Sequence, residues 1–151
     1  MPILLATLVA LMIRSITLDG AKEGLDFLFK PDFSSLSTKG VLEALGHSFY
    51  SLSLGMGVII TYGSYIKSDE NLVSLSLQVI IADTAVALMA GIVIFPAVFA
   101  YGFEPAAGPS LIFITLPAVF QEMPFGTFFE PLFFLLVGIA AITSTISLFE
   151  V

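Results

Sequence analysis

Long apolar runs, separated by short polar stretches, make up most of the sequence. A helix that crosses the hydrocarbon core of a bilayer needs about 20 mainly apolar residues. The pattern predicts four spans, at residues 1–18, 44–66, 72–103 and 131–151. The fold class is therefore expected to be all-α, a polytopic membrane protein. Both termini fall inside apolar segments, so we interpret the chain as a fragment of a longer one, truncated in its first and last spans.

The two longer connections between these spans have different characters. Residues 19–43 hold eight of the 17 charged side chains together with turn residues, which predicts a polar loop. Residues 105–128 instead contain apolar pieces that are too short to span, separated by Pro105, Pro109, Pro117 and Pro124. Short apolar pieces between prolines favour a helical hairpin that dips toward the protein core.

The composition excludes several classes of protein. The chain is 58 % hydrophobic and 11 % charged, and its mean hydropathy is +1.06, well outside the soluble range. It has no Cys, which removes disulfides and thiolate metal sites. The net charge of −7 argues against a nucleic-acid partner. A single His and the absence of HExxH, GxSxG and phosphate-loop motifs predict that the protein is not an enzyme.

The second span contains an unusual polar stretch, "SLSLGMG" at residues 51–57. Each Gly lowers helix propensity by about 1 kcal/mol relative to Ala, and each Ser offers a hydroxyl oxygen. Lipid supplies no hydrogen bonds, so backbone can leave helical geometry only where protein or a watery cavity provides partners. One interpretation is a broken helix whose carbonyl groups face a ligand, and it depends on the polar features described next. The alternative is that Gly and Ser mark a close contact between helices.

Two other polar features lie within apolar segments. Ala140, Thr143 and Ser144 are spaced i, i+3 and i+4, so they share one helix face and offer a carbonyl and two hydroxyls. Ligands that are all oxygen suit a hard cation, although such hydroxyls also bond back to their own helix. Asp83 is a carboxylic acid deep inside the third span, where an acid is costly and indicates function. Its alternative is a structural, hydrogen-bonded neutral acid.

Three segments carry a resemblance to a known family. "GHSFYSLSLGMGVIITYGSY" resembles the discontinuous sixth helix of the neurotransmitter:sodium symporter family, particularly its bacterial amino-acid transporters. "FITLPAVF" is similar to the family's fourth extracellular loop, and "AAITSTISLFEV" to its eighth helix. The resemblance covers the whole chain as helices five to eight. It implies discontinuous helices that form part of the inverted-repeat symporter fold of the bacterial leucine transporter, with residues 19–43 and 105–128 outside the cell.

The resemblance also implies roles for individual residues. Ser51 and Asp83 would contribute to a first Na+ site, and Ala140, Thr143 and Ser144 to a second, with each site incomplete in this chain. The amino-acid substrate would be bound by Tyr50, Ser51, Ser53, Met56, Ser144 and Leu148. Gating would involve His47 and Tyr50 on the outside, and Ser64 and Tyr65 on the cytoplasmic side.

The implied function is sodium-coupled import of an amino acid by alternating access, in the plasma (inner) membrane. Partners would be an apolar or aromatic amino acid, the lipid bilayer and the missing helices of the same transporter, with no nucleic acid. Three positions depart from the family pattern: His47 is commonly Gln, Met56 is often aromatic, and Asp83 is Asn in many members. A carboxylate at Asp83 predicts transport that does not need chloride. The alternative function is a non-transporting membrane helix module or a channel segment.

Overall fold

The computed structural model describes residues 2–30, 32–105 and 108–151, and these are helical without any strand. The all-α prediction is therefore confirmed for the described part of the chain. Two compact units can be distinguished, Met1–Pro31 with Ala87–Ala141 and Asp32–Val86 with Ile142–Val151. The helices are α1 Pro2–Ile16, α2 Ala21–Phe29, α3 Thr38–Ser51, α4 Val58–Ser64, α5 Leu72–Ala100, α6 Leu116–Glu122 and α7 Gly126–Phe149. A 3₁₀ turn, Phe33–Ser35, precedes α3, and a π-helical segment, Leu111–Thr115, leads directly into α6.

The first unit holds the apolar core of the described chain. Its buried side chains come from α1, the second half of α5, α6 and α7, and include Leu8, Leu11, Val93, Val98, Leu116, Val119 and Phe133. A buried hydrogen bond crosses this core, in which the Ser15 hydroxyl donates to the carbonyl of Val93 at 2.8 Å. Pro96 lies one turn further along α5 and has no N–H to donate. Ser15 therefore adds a hydrogen bond close to the place where Pro96 removes one backbone hydrogen bond from α5.

Helices α2 and α5 approach each other closely within the first unit. A Cβ added at Gly24 of α2 would lie 2.5 Å from backbone atoms of Phe95 and Pro96. At Gly91 of α5 an added Cβ would lie 3.1 Å from the side chain of Leu28. Small residues of this kind permit close helix contacts in membrane proteins. The Gly24 contact involves backbone on the opposite side, which cannot move aside as a side chain can.

The second unit is much less buried. Of the apolar side chains that the structure describes in this unit, Val58 alone is buried. Large apolar side chains such as Ile60, Val73 and Phe149 are exposed instead. Contiguous exposed apolar surface is unusual for a protein in water and marks contact with lipid or with other protein. The second unit therefore presents surfaces that suit a membrane or neighbouring helices.

Among the described residues, two helices are long and apolar enough to cross a membrane. They are α5 and α7, with mean hydropathies of 2.2 and 2.3. Helices α1 and α2 are long and apolar enough to cross a membrane only when they are taken together, and the chain bends by 114° between them. Only 17 % and 6 % of the apolar windows of α5 and α7 are buried inside the protein. Their apolar side chains are thus available to lipid or to other helices.

The helix bounds differ in places from the expected spans. The predicted loop 19–43 contains α2 and the start of α3, because the Ser37 side chain accepts a hydrogen bond from the N–H of Gly40 and caps α3. The predicted hairpin 105–128 includes residues 106 and 107, which lie outside the described residues. In its described part, the π-helical segment and α6 are followed by a turn, and α7 begins at Gly126 rather than near residue 131. Pro131 is the sixth residue of α7 and has no N–H to donate to the carbonyl of Thr127, so the helix lacks one backbone hydrogen bond there.

Candidate functional site

The predicted break in the second span is present in the second unit. Helix α3 ends at Ser51 and α4 begins at Val58. The N–H of Leu54 donates to the carbonyl of Phe49, and the N–H of Ser53 donates to that of Tyr50. These two bonds form a Schellman motif, in which Ser53 occupies the left-handed position with φ of 55°. The helix is thus stopped by Ser53, two residues before the first glycine.

The backbone carbonyl groups of the residues that follow Ser51 are available to bind a ligand. None of the carbonyl groups of residues 52–56 accepts a hydrogen bond from another group in the described chain. Gly57 then starts α4 with φ of 82°, and its carbonyl accepts the N–H of Thr61. Residues 52–56 are half-buried or exposed, so these carbonyls are accessible to water, to a ligand or to further protein. The break therefore has the chemistry of a ligand-binding segment.

A cavity of about 900 Å³ lies beside the break, within the second unit. It is lined by residues of α3, α4, the first half of α5 and the end of α7. All six side chains that the sequence assigned to substrate binding lie on its wall: Tyr50, Ser51, Ser53, Met56, Ser144 and Leu148. Aliphatic side chains, including Val79 and Ile80, cover much of the remaining wall. A mainly apolar cavity with a few convergent polar groups is typical of a small-molecule site.

Ser51 and Asp83 are in direct contact on the wall of this cavity. The Ser51 hydroxyl lies 2.9 Å from each carboxylate oxygen of Asp83 and donates to them. A hydroxyl that donates its proton keeps two lone pairs that can accept a cation. The pair thus offers a carboxylate and a hydroxyl oxygen next to the broken backbone. The structure brings together these two residues, which lie 32 positions apart in the sequence.

The second predicted cation set lies along α7. Thr143 and Ser144 belong to the second unit, and of the two only Ser144 lines the cavity. Ala140 belongs to the first unit, so the face that the three residues share rests on their helical spacing. No group of three or more His, Cys, Asp or Glu side chains that could hold a metal ion occurs in the described segments. The oxygen atoms that these candidate sites offer belong mainly to hydroxyl and carbonyl groups. Such ligands suit a hard monovalent cation better than a transition metal.

The predicted gate residues lie at separate places. His47 is exposed on α3 and is not part of the cavity wall, whereas Tyr50 is. The Ser64 hydroxyl donates to the carbonyl of Thr61, within its own helix. The Tyr65 hydroxyl donates to Glu150 at 3.1 Å. The gate roles of these four residues remain predictions.

Sequence reasoning missed three polar residues in this region. Tyr62 donates its hydroxyl to that of Ser147 at 2.8 Å, and Glu150 accepts from Tyr65. Tyr62 and Ser147 also line the cavity. Tyr65 follows Tyr62 by three positions, and Glu150 follows Ser147 by three, so each pair has the spacing of one helix face. This shared spacing is the only signal in the sequence that could have suggested the two contacts.

Comparison with known proteins assigns the chain to a class. Residues 1–151 match the Sodium:neurotransmitter symporter family. The chain therefore belongs to this family, whose members are sodium-coupled transporters and not enzymes. The resemblance in the sequence and the expectation of a non-enzyme are both confirmed.

Individual relatives agree with this assignment. The chain is 44 % identical over its entire length to the uncharacterised sodium-dependent transporter YhdH of Bacillus subtilis, of which it covers 34 %. It is 29 % identical over 95 % of its length to the sodium- and chloride-dependent GABA transporter ine of Drosophila melanogaster, of which it covers 16 %.

A solved structure is similar as well. The crystal structure of MhsT in complex with L-phenylalanine is 51 % identical in sequence, with a TM-score of 0.85 over 99 % of this chain and 34 % of the MhsT chain. The chain thus spans about a third of the length of the bacterial relatives that it matches. The match supports the symporter fold that the sequence resemblance implied.

Proposed function

We propose that this chain is part of a sodium-coupled symporter that imports an apolar or aromatic amino acid by alternating access. The observation that carries the proposal is the cavity of the second unit, where the broken backbone at residues 52–56 meets the Ser51–Asp83 pair. Membership of a sodium symporter family supports the use of sodium. The similarity to MhsT, whose solved structure contains L-phenylalanine, supports an amino acid as the substrate.

The first sodium ion would bind beside Ser51 and Asp83. The hydroxyl of Ser51 can turn its lone pairs toward the cation while its proton stays directed at the carboxylate. Na+ is a hard cation and prefers oxygen ligands of this kind. The fixed negative charge of Asp83 would offset the charge of the cation in a region of low dielectric constant, where an uncompensated ion is costly. The remaining ligands would come from helices outside this chain.

The second sodium ion would bind to α7. The carbonyl of Ala140 and the hydroxyls of Thr143 and Ser144 supply three neutral oxygens on one helix face. Ser144 also lines the cavity, so it stands between this cation site and the substrate. Binding of sodium would hold α7 in the arrangement that the substrate requires. The binding of sodium and the binding of the amino acid would then strengthen each other.

The substrate side chain would occupy the apolar part of the cavity. Tyr50 provides an aromatic wall, and Met56 and Leu148 provide aliphatic surface. Met is unbranched and polarizable, so Met56 can fill irregular space around side chains of different size. The polar ends of the amino acid would be bound by Ser53 and by the free carbonyls of the break. This arrangement favours medium to large apolar amino acids over charged ones.

Transport would take place in the plasma (inner) membrane, with α5 and α7 crossing the bilayer. Tyr50 and His47 would act at the external side of the cavity, and Ser64 and Tyr65 at the cytoplasmic side. The sodium gradient would drive uptake, because sodium stabilises the substrate-bound form on the outside and dissociates on the inside, where its concentration is low. The partners are the amino acid, the lipid and the remaining helices of the transporter.

Sodium-dependent uptake by the full-length transporter in proteoliposomes tests the proposal. Ser144→Ala removes one cation ligand without adding bulk, so we expect a loss of about 1 kcal/mol or more in sodium binding. The sodium concentration for half-maximal uptake should rise roughly fivefold, the ratio to which 1 kcal/mol corresponds. Ser48→Ala is the control, because the Ser48 hydroxyl donates to the carbonyl of Ala44 and does not line the cavity. Uptake that is unaffected when choline replaces sodium would contradict the proposal.

The alternative is a non-transporting helix module in which the same Gly and Ser residues serve packing. The exposed polar backbone at residues 52–56 argues against it, because packing alone would keep these carbonyls within a regular helix. If Ser144→Ala reduced thermal stability equally with and without sodium, this alternative would be favoured.

A further inference from the structure

Two hydroxyl groups connect α4 to the end of α7 within the second unit. The phenol of Tyr62 donates to the Ser147 hydroxyl at 2.8 Å. The Ser147 hydroxyl in turn donates to the carbonyl of Thr143 at 3.2 Å. The three groups therefore form a chain of two hydrogen bonds that begins on α4 and ends on the backbone of α7. We refer to it as the Tyr62–Ser147 tether.

The tether ends on the backbone carbonyl of Thr143, a residue of the proposed second sodium site. Ser147 follows Thr143 by four residues and Ser144 by three, so all three lie on the same face of α7. The bond to the Thr143 carbonyl fixes the peptide group of a residue whose own hydroxyl is a proposed sodium ligand. Successive hydrogen bonds polarise one another, so the Tyr62 phenol strengthens the Ser147 bond beyond its intrinsic strength.

The surroundings of the tether favour a role in positioning. Tyr62 and Ser147 line the same cavity as Ser51, Asp83 and Ser144. Much of the wall around them is aliphatic, and a hydroxyl deprived of its partner there would be costly. A serine in a membrane helix can satisfy its hydroxyl by bonding to the carbonyl four residues earlier, as Ser48 does. The additional hydrogen bond from the Tyr62 phenol therefore links two helices. It is not needed to give the Ser147 hydroxyl a partner.

We infer that the Tyr62–Ser147 tether positions the Thr143–Ser144 turn of α7 for sodium and thereby sets the affinity for the cation. Tyr62 and Ser147 are positioning residues and do not touch the cation themselves. The tether also makes the orientation of α4 a determinant of sodium binding, because α4 carries the phenol. This inference rests on the proposed function, since it concerns the same transporter and its second sodium site.

The test measures sodium binding without transport. The full-length transporter is purified in detergent, and its melting temperature is followed as NaCl replaces choline chloride, without amino acid. Tyr62→Phe and Ser147→Ala each remove one hydroxyl. Tyr62→Phe removes one hydrogen bond of the tether and Ser147→Ala removes both, and each variant should raise the sodium concentration for half-maximal stabilisation at least roughly two- to tenfold. The double variant should show no larger effect than Ser147→Ala, because the loss of the Ser147 hydroxyl already removes both hydrogen bonds of the tether.

Control variants separate positioning from general loss of stability. Ser147→Thr keeps a hydroxyl at the same place and should retain wild-type sodium affinity. Ser48→Ala removes a hydroxyl that bonds only within its own helix and should leave sodium affinity unchanged. These results would not be expected if the two residues merely stabilised the fold.

Two different failures can be distinguished. A wild-type protein that sodium does not stabilise more than choline would refute the proposed function, and this inference with it. A wild type that responds to sodium, with Tyr62→Phe and Ser147→Ala responding identically to it, would overturn this inference alone. The inference would also be overturned if the increases in the half-maximal sodium concentration multiplied in the double variant. Such a result would show that the two hydroxyls act independently.

Discussion

At the scale of single residues, the site depends on a carboxylate placed against a hydroxyl. Asp83 accepts from Ser51 with both of its oxygens at 2.9 Å. Many members of the family that the sequence resembles have an amide at this position. The acid brings a fixed negative charge to the place where a cation is proposed to bind. We expect a transporter with such a charge to need no mobile anion to balance sodium.

This charge leads to a prediction about chloride. Uptake by the full-length transporter should persist when gluconate replaces chloride at constant sodium, because Asp83 supplies the negative charge. Asp83→Asn should either create a requirement for chloride or abolish uptake. Asp69→Asn makes the same chemical change in the turn between α4 and α5 and should have neither effect. A collapse of wild-type uptake in gluconate would show that Asp83 does not play this role.

A second residue-scale prediction concerns Gly57. Its φ of 82° lies in the left-handed region, and a Cβ there would also lie 2.7 Å from the side chain of Val151. Gly57→Ala should therefore lower the free energy of unfolding by about 1 kcal/mol or more. Gly46→Ala is the matched comparison, because Gly46 is helical with nothing within 4 Å of an added Cβ, and Ala is the better helix former. Thermal unfolding in detergent should show opposite signs for the two variants, and equal signs would contradict the prediction.

The break illustrates what the sequence could and could not predict. The pattern "SLSLGMG" correctly indicated where the helix is interrupted, because Gly is a poor helix former. It did not identify Ser53 as the stop, since a non-Gly residue in the left-handed region depends on the hydrogen bonds of the whole turn. The Tyr62–Ser147 contact was likewise missed. Its partners are 85 residues apart, and their meeting depends on how the helices are rotated about their axes.

At the scale of elements, α2 and α5 show how closely two helices can pack. Gly24 faces the backbone of Phe95 and Pro96, next to the carbonyl of Val93 that accepts from Ser15. The expected polar loop 19–43 thus contains a helix that packs on the core. Charged residues in this stretch obscured the small residues that mark the contact, so its helix was not predicted.

The contact between α2 and α5 can be tested with a graded series. Gly24→Ala should destabilise the protein by about 1–3 kcal/mol, because the new methyl group meets backbone atoms that cannot move independently. Gly91→Ala should cost less, since its neighbour is the flexible side chain of Leu28. Gly40→Ala, with an ordinary contact of 3.5 Å to Ser37, should have the smallest effect. Melting temperatures in detergent give the order, and a Gly24→Ala protein as stable as Gly40→Ala would exclude the close contact.

At the scale of the molecule, the chain spans about a third of the length of its bacterial relatives. The second unit has a substantial cavity but only one buried apolar side chain among those described. We expect both proposed sodium sites to need ligands beyond those that this chain supplies. The exposed apolar surfaces of α5 and α7 are consistent with such neighbours.

These features predict that the 151-residue chain does not transport by itself. Reconstituted into liposomes, it should take up no more labelled leucine than empty liposomes under an inward sodium gradient. The full-length transporter, reconstituted at the same protein-to-lipid ratio, is the positive control. Sodium-driven uptake by the chain alone would mean that the cavity of the second unit is sufficient, and would contradict the prediction.

The Schellman motif at Ser53 has a consequence for how substrate range can evolve. Because backbone hydrogen bonds stop α3 at Ser53 and start α4 at Gly57, the ends of the break do not depend on the side chains of Leu54 and Met56. Mutational drift at these two positions can therefore alter the shape of the cavity while both helix ends stay in register. On the proposed function, we expect single replacements there to change which amino acid is transported while the protein stays folded.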